Sequence, residues 1–245
     1  MSSTHREYKD KGFIEDQREF FDKLITRDWD TYVNPEWDRE RQCEVYKILN
    51  LIHKPVRTVL DIGCGSGYHD MIFAERDEIQ SVVGVDNSFE SIRQAEEHYP
   101  HKKVQRFVAD IFSMDQIIND SGKFDLVTSF QVIEHLKDPQ AFLSACRQCV
   151  MGDGHVAVVT PNRLRFENRF RSILGRQPVL IDPMHFKEYS VPDLVTIGRN
   201  MGLEFVGSFA HSIYVPHLKL PFSLQIGTLL PGVATVIGVM FKNVG

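Results

Sequence analysis

The sequence has no apolar run long and unbroken enough to cross a bilayer. Its most apolar stretch, Leu218 to Phe241, is interrupted by Pro221, Gln225, Gly227, Pro231, Gly232 and Gly238, whereas a spanning helix needs about 20 predominantly apolar residues. Met1 to Lys11 is polar and charged, without the apolar core of a secretory leader, so none is expected. Cysteine is scarce. Cys43, Cys64, Cys146 and Cys149 make no disulfide framework. Cys146 and Cys149 have C-x-x-C spacing but no second pair, and they share a helical stripe with Phe142, which reads as small buried residues. This usage fits a reducing, cytoplasmic setting. A positive excess is missing too: 28 Lys and Arg face 33 Asp and Glu, for a net charge of −5. That excludes a global basic field, and no DNA partner is expected. There is no internal repeat or low-complexity segment, and no pattern sets an oligomeric state. What remains is 245 residues, 42% hydrophobic and 25% charged, ordinary for a soluble globular chain able to bury a sizeable core.

What is present centres on Val59-Leu60-Asp61-Ile62-Gly63-Cys64-Gly65-Ser66-Gly67-Tyr68. An apolar strand runs into three glycines at alternate positions, and a helical pattern begins near Tyr68. Glycine permits positive φ and close approach of a ligand to the backbone. In open α/β sheets, ligands bind just beyond the carboxyl ends of the strands. The dinucleotide fingerprint is G-x-G-x-x-G, but Tyr68 stands where its third glycine belongs. Asp61, two residues before the first glycine, would repel a pyrophosphate and suit a cationic ligand.

From Thr58 onward the pattern alternates. Strands are expected at 58–62, 81–86, 104–109, 124–130 and 155–160, with helices near 68–76, 88–98 and 138–150. Such alternation signals βαβ units and a parallel sheet. A further helix starts at Ser190, helped by Asp193 and closed by Gly202, and strands are expected at Glu204–Ser212 and Val233–Lys242. Upstream, Phe13 to Ile25 and Val45 to Ile52 have helical spacing. Two helices before the first strand would cap the ligand cleft, with Trp29 and Tyr32 in the aromatic, turn-rich link between them, as lid residues or as ordinarily packed surface aromatics.

The second strand ends at Asp86-Asn87-Ser88. An acid there can accept both hydroxyls of a ribose, while Asn87 or Ser88 suits the following helix cap. The third strand ends at Asp110-Ile111-Phe112. The fourth leads into Phe130-Gln131-Val132-Ile133-Glu134-His135-Leu136-Lys137-Asp138-Pro139. Together these stretches resemble the class I S-adenosylmethionine-dependent methyltransferases. The Ile-Glu-His-Leu-x-Asp-Pro run is most similar to ubiquinone-type and other small-molecule O-methyltransferases. The resemblance covers roughly residues 40–245 and specifies the cofactor better than the acceptor.

The resemblance implies a Rossmann-like α/β fold, a seven-stranded sheet of order 3-2-1-4-5-7-6 with strand 7 antiparallel and an N-terminal helical cap. Residues 1–40 would form the cap segment and 41–245 the methyltransferase domain, with acceptor-site insertions near 161–190 and 213–232. S-adenosylmethionine is the implied cofactor and S-adenosylhomocysteine its product. Asp61, Gly63, Cys64, Gly65 and Gly67 would bind it at the first turn, and Asp86 and Asn87 at its ribose. Asp110 would take the adenine amino group, Ile111 offer a backbone amide and Phe112 flank the ring. Phe130 and Gln131 would line its methionine end.

His135 would stand beside the transferring methyl. Its unperturbed pKa of ~6.5 suits a general base for a hydroxyl acceptor. His185, in a His-x-x-Glu-Tyr pattern that recurs in related O-methyltransferases, is a second catalytic candidate. Some of these relatives bind a divalent ion through Glu-x-x-Glu-His. Here the first acid is Gln131, which lowers the charge offered to a hard cation, so the metal stays unassigned.

The expected reaction is O-methylation of a small-molecule acceptor. Arg163, Arg165, Arg169, Arg171 and Arg176 make one segment basic, read as a solvated helix face or as a site for an acceptor phosphate or an anionic membrane, and Leu218, Leu229 and Leu230 belong to an apolar stretch expected to pack within the domain. These features keep a lipid-linked glycan or quinone precursor at a membrane surface as an alternative. RNA 2′-O-methylation and a non-catalytic cofactor-binding module are the remaining ones. Cytoplasmic localisation is expected, with membrane association as the alternative.

Overall fold

The computed structural model describes residues 17–27, 35–182, 184–214 and 223–245. Trp29 and Tyr32, and Leu218 of the apolar stretch, lie outside the described residues. The strands are β1 (Thr58–Ile62), β2 (Ser81–Asp86), β3 (Val104–Val108), β4 (Phe124–Phe130), β5 (Val150–Pro161), β6 (Leu203–His211) and β7 (Val236–Asn243). The helices are α1 (Gln17–Arg27), α2 (Pro35–Asn50), α3 (Tyr68–Ala74), α4 (Phe89–His98), α5 (Asp115–Ser121), α6 (Pro139–Cys149), α7 (Phe166–Ile173), α8 (Val191–Asn200) and α9 (Ser223–Leu229).

The sheet order is β3-β2-β1-β4-β5-β7-β6. Strands β1 to β5 pair in parallel, and β7 runs antiparallel to both β5 and β6. The fold is therefore the Rossmann-like seven-stranded one expected. Strand alternation splits the core between two faces. Leu60, Ile62, Val83 and Val85 pack against Phe142, Leu143 and Cys146 of α6 and Leu194 of α8. Val59, Val82 and Leu126 pack against Ile72 and Phe73 of α3 and Val45 and Ile48 of α2. A sheet covered on both faces needs such near-continuous apolar strands. Cys146 and Cys149 are buried free thiols, as expected. The strand order reverses between β1 and β4, which run parallel, and this opens a crevice at their carboxyl ends.

Four details depart from the expectation. Helix α2 runs through the boundary placed between residues 40 and 41: Val45 and Ile48 are core, while Trp37 and Arg41 reach the crevice. Strand β5 starts at Val150, directly out of α6, because Val150 pairs with Phe124 ahead of an irregularity between Phe124 and Leu126. Helix α5 was not expected; its sequence is polar and its first turn has no side-chain cap. Leu229 and Leu230 are exposed rather than packed within the domain. By contrast, Ser190 and Asp193 form a full capping box at α8, and Gly202 follows that helix at φ 74°.

The start of β5 carries one pH-sensitive group. His155 is buried, and its Nδ1 has no hydrogen-bond partner. Burial, then the nearby Lys54 and Lys242, hold its pKa down at about 4. The unfolded chain takes up this proton near pH ~6.5, and the native chain does not until about pH 4. Stability is therefore lost as pH falls through that window. Replacing His155 by Gln should flatten the loss by at most about 3 kcal/mol, read from urea unfolding at pH values bracketing the window. An unchanged slope would contradict the assignment.

Candidate active site

The glycine turn is fixed by backbone bonds before any side chain matters. Gly63 and Cys64 both donate to the carbonyl of Val85, at 2.7 and 3.0 Å, which locks the turn against β2. Gly63 has φ 73°, and a Cβ there would lie 2.3 Å from Val132 Cγ2, so no other residue fits. The Gly65 N–H donates to Asp86 Oδ2 at 3.0 Å, while Asp86 Oδ1 accepts from Ser88 N–H at 2.9 Å. Burial raises the Asp86 pKa, helped by Asp22, and the two N–H groups oppose the rise. Ser88 is the N-cap of α4.

The crevice holds a cleft of about 530 Å³. Of the fourteen residues expected to bind or react, twelve line it. Gly63, Cys64 and Gly65 form its floor, with Asp86 and Asn87 on one side. Asp110, Ile111 and Phe112 follow from β3, where Asp110 Oδ1 accepts the Phe112 N–H at 2.9 Å. Phe130, Gln131, His135 and His185 close the other end. Gln131 sits at φ 57°, a left-handed conformation costly for a non-glycine residue and found mostly at functional sites. Asp86, Asp110 and Asp182 line the cleft together with one arginine, Arg41, and this acidic excess favours a cationic occupant.

Asp61 and Gly67 stand behind the wall rather than on it. Asp61 is 1% exposed and accepts from Thr128 Oγ1 at 2.9 Å. Its neighbour Asp70 is also buried and bonds Arg106 Nε at 2.8 Å. Asp61 Oδ2 and Asp70 Oδ1 have no other donor, and one proton shared between the carboxyls satisfies both. Burial, then the charge of Asp70, raise the Asp61 pKa, and burial raises that of Asp70 to about 6 against the pull of Arg106, so the pair holds a proton between them. The picture of Asp61 as a bare charge facing a ligand is thus corrected. Arg106 also donates to the Gly67 carbonyl at 3.3 Å, and a Cβ at Gly67 would strike its guanidinium at 2.8 Å. These groups brace the turn from below. Removing one partner of such a buried pair costs about 3–5 kcal/mol.

His135 ends a short 3-10 turn, Ile133–His135, with its ring edge-on to Phe21 and to His185, at 5.2 and 4.8 Å between centroids. Its Nδ1 lies 3.3 Å from the Met184 carbonyl. A carbonyl only accepts, so Nδ1 carries the proton and Nε2 is the lone-pair nitrogen. His185 Nδ1 similarly donates to Glu188 Oε1 at 3.3 Å. Burial works against the Glu188 charge, but His185, the Ile181 N–H and Arg165 outweigh it and lower its pKa.

Glu134 is buried. Its Oε2 accepts from Thr160 at 2.8 Å, its Oε1 has no partner, and burial pushes its pKa up to about 7. Glu134, His135 and His185 each bring a ligand atom within 4.8 Å of the others. One carboxylate and two imidazoles, with an orphaned buried oxygen among them, fit a divalent transition metal.

Phe21, Leu24 and Ile25 belong to the helical pattern read as a cap, whereas His69 and its partners Glu44 and His211 gave no signal in the sequence. Phe21, Leu24 and Ile25 of α1 cover the cleft, and Ser88 Oγ donates to Asp22 Oδ1 to hold that helix down. His69 stacks on Phe130 at 3.6 Å and 6° between planes. Its Nε2 bonds one oxygen of Glu44 at 2.8 Å, and His211 bonds the other at 2.9 Å. Burial opposes the Glu44 charge, yet these two bonds hold its pKa at about 2.

Residues 37–207 match a family model described as a methyltransferase domain. A probable S-adenosylmethionine-dependent methyltransferase from Mycolicibacterium smegmatis is 30% identical over 148 residues, 60% of this chain and 52% of that protein. A ubiquinone biosynthesis O-methyltransferase from Cupriavidus pinatubonensis is 28% identical over 155 residues, 61% of each chain. The chain thus spans about half to three-fifths of the curated relatives it matches. Among solved structures, the N-methyltransferase NodS from Bradyrhizobium japonicum, bound to S-adenosylhomocysteine, superposes with a TM-score of 0.62 at 15% identity, covering 94% of this chain and 99% of that one.

Proposed function

The chain belongs to the methyltransferase domain family, whose members matched here depend on S-adenosylmethionine, and we propose that it methylates a hydroxyl oxygen of a small molecule with His135 as general base. The cofactor, when bound, supplies an electrophilic methyl on a positively charged sulfur. Asp86 accepts from its ribose hydroxyls, and Asp110, Ile111 and Phe112 hold its base. The acidic lining favours its net positive charge. The acceptor enters between His135, Met184 and His185, and most of the rate comes from holding it in near-attack geometry. His135 takes the hydroxyl proton at Nε2.

The observation that supports this reading is the Nδ1 contact with the Met184 carbonyl, which fixes the tautomer a base requires. The relative from Cupriavidus is named an O-methyltransferase, which favours oxygen as the acceptor atom. The test is S-adenosylhomocysteine release with phenols, sugars and polyprenyl-linked alcohols. Turnover is expected with at least one hydroxyl acceptor and is lost in its methyl ether. Turnover with amines alone would overturn oxygen as the acceptor.

A divalent ion on Glu134, His135 and His185 is the second reading, favoured by the orphaned Glu134 Oε1. Such an ion would polarise the acceptor hydroxyl. Loss of turnover on chelation, with recovery on adding metal, selects it over the free base.

A further inference from the structure

Helix α7 is packed inside out. It is anchored by polar bonds, and its apolar side is exposed. Its one buried residue is Asn168, whose amide donates to the carbonyls of Arg163 and Val179 at 3.0 Å and accepts the Val179 N–H at 2.9 Å. Arg165, just before the helix, is buried against Glu188 and the Val179 carbonyl. The opposite face carries Phe166, Phe170, Ile173 and Leu174 at i, i+4, i+7 and i+8, and these are 44, 55, 81 and 53% exposed. Leu180 and Ile181, in the irregular segment after the helix, are exposed as well. Among the described residues, seven of the eighteen exposed large apolar side chains fall between Leu164 and Ile181. Isolated exposed leucines need no explanation, but a cluster of this kind marks an interaction surface.

Charge identifies the partner. Of the five arginines in residues 163–176, Arg163 pairs with Asp193 and Arg165 is buried against Glu188, which leaves Arg169, Arg171 and Arg176. Arg169 is exposed and donates to the Gly232 carbonyl at 2.9 Å; Arg171 is half-exposed and donates to the Gln177 carbonyl at 2.8 Å. Both guanidinium groups are thereby held along the flanks of the apolar face without a carboxylate on them in these bonds. Arg176 lies exposed at the end of the helix, and Lys187 is exposed nearby in sequence. An apolar stripe rimmed by arginines is the pattern of a helix lying in an anionic membrane interface. Among the described residues no helix is long and apolar enough to cross a membrane, so contact of this kind would be peripheral.

We propose that the α7 face docks the protein on an anionic phospholipid bilayer, with Phe166, Phe170 and Ile173 entering the acyl boundary and the flanking arginines meeting headgroup phosphates. The same segment continues to Met184 and His185, so the docked face adjoins the acceptor end of the cleft. The inference stands whichever acceptor is methylated.

The test is co-sedimentation of the full chain with phosphatidylcholine vesicles, with and without phosphatidylglycerol. Binding is expected only with the anionic lipid and should weaken as salt rises. The double variant Phe170→Asp, Ile173→Asp should reduce partitioning at least about tenfold, and Arg176→Gln by a few-fold. All three side chains are exposed, so unchanged circular dichroism melts show that the fold persists. Equal sedimentation with neutral vesicles, no sedimentation with anionic ones, or an unaffected double variant would overturn the proposal. So would self-association that the double variant abolishes without any vesicle binding, which would make the face a contact between copies.

Discussion

Replacing Asp86 by Ala should weaken S-adenosylmethionine binding by about 100-fold or more. Hydrogen bonds to a charged acceptor are worth ~1.5–3 kcal/mol each, and two ribose hydroxyls would share this carboxylate. The side chain also holds the Gly65 N–H and the Ser88 N–H, so its loss loosens the glycine floor as well as the ribose contact. Asp86→Asn keeps one acceptor oxygen and should fall between wild type and Ala. Titration calorimetry with the cofactor reads both variants. Equal affinity in Asp86→Ala would remove the ribose assignment, and a uniform loss in both would mean that the turn rather than the ribose depends on it.

Replacing His135 by Ala should lower kcat by about 10²–10⁴-fold, the usual worth of a positioned general base, while cofactor affinity stays within a few-fold. The ring lies beyond the glycine floor, between Phe21 and His185, and the turn's backbone bonds do not involve it. The pH profile separates a base from a packing group: wild-type kcat should rise with deprotonation of an imidazole, and that limb should vanish in the variant. If the limb persists in His135→Ala, another group removes the proton, and His185 is the neighbour to test next.

Much of the fold was legible because its signals are local. The strands, the glycine turn, the Ser190–Asp193 capping box and Gly202 each declare themselves within a few residues. The cleft lining was legible for the same reason, since the ends of β1 to β4 converge on one crevice wherever the sheet is parallel. Most of the exceptions are arrangements between distant segments. Asp61 reads as a bare carboxylate until Asp70 and Arg106 arrive beneath it from α3 and β3. His69, Glu44 and His211 come from three separate elements and carry no shared spacing. Periodicity shows that α7 is amphipathic, but which side faces inward depends on Asn168 and on Arg165 meeting Glu188. The short helix α5 was missed because its polar sequence offers no stripe.

The Ser88 hydroxyl serves two masters. It accepts the Ser91 N–H that begins α4, and it donates to Asp22 on the covering helix. Swinging α1 aside would break only the second of these bonds, so α4 keeps its start while the roof departs. The bonds that hold the glycine floor, from Gly65 and Ser88 to Asp86 and from Ser91 to Ser88, are thus independent of the covering helix.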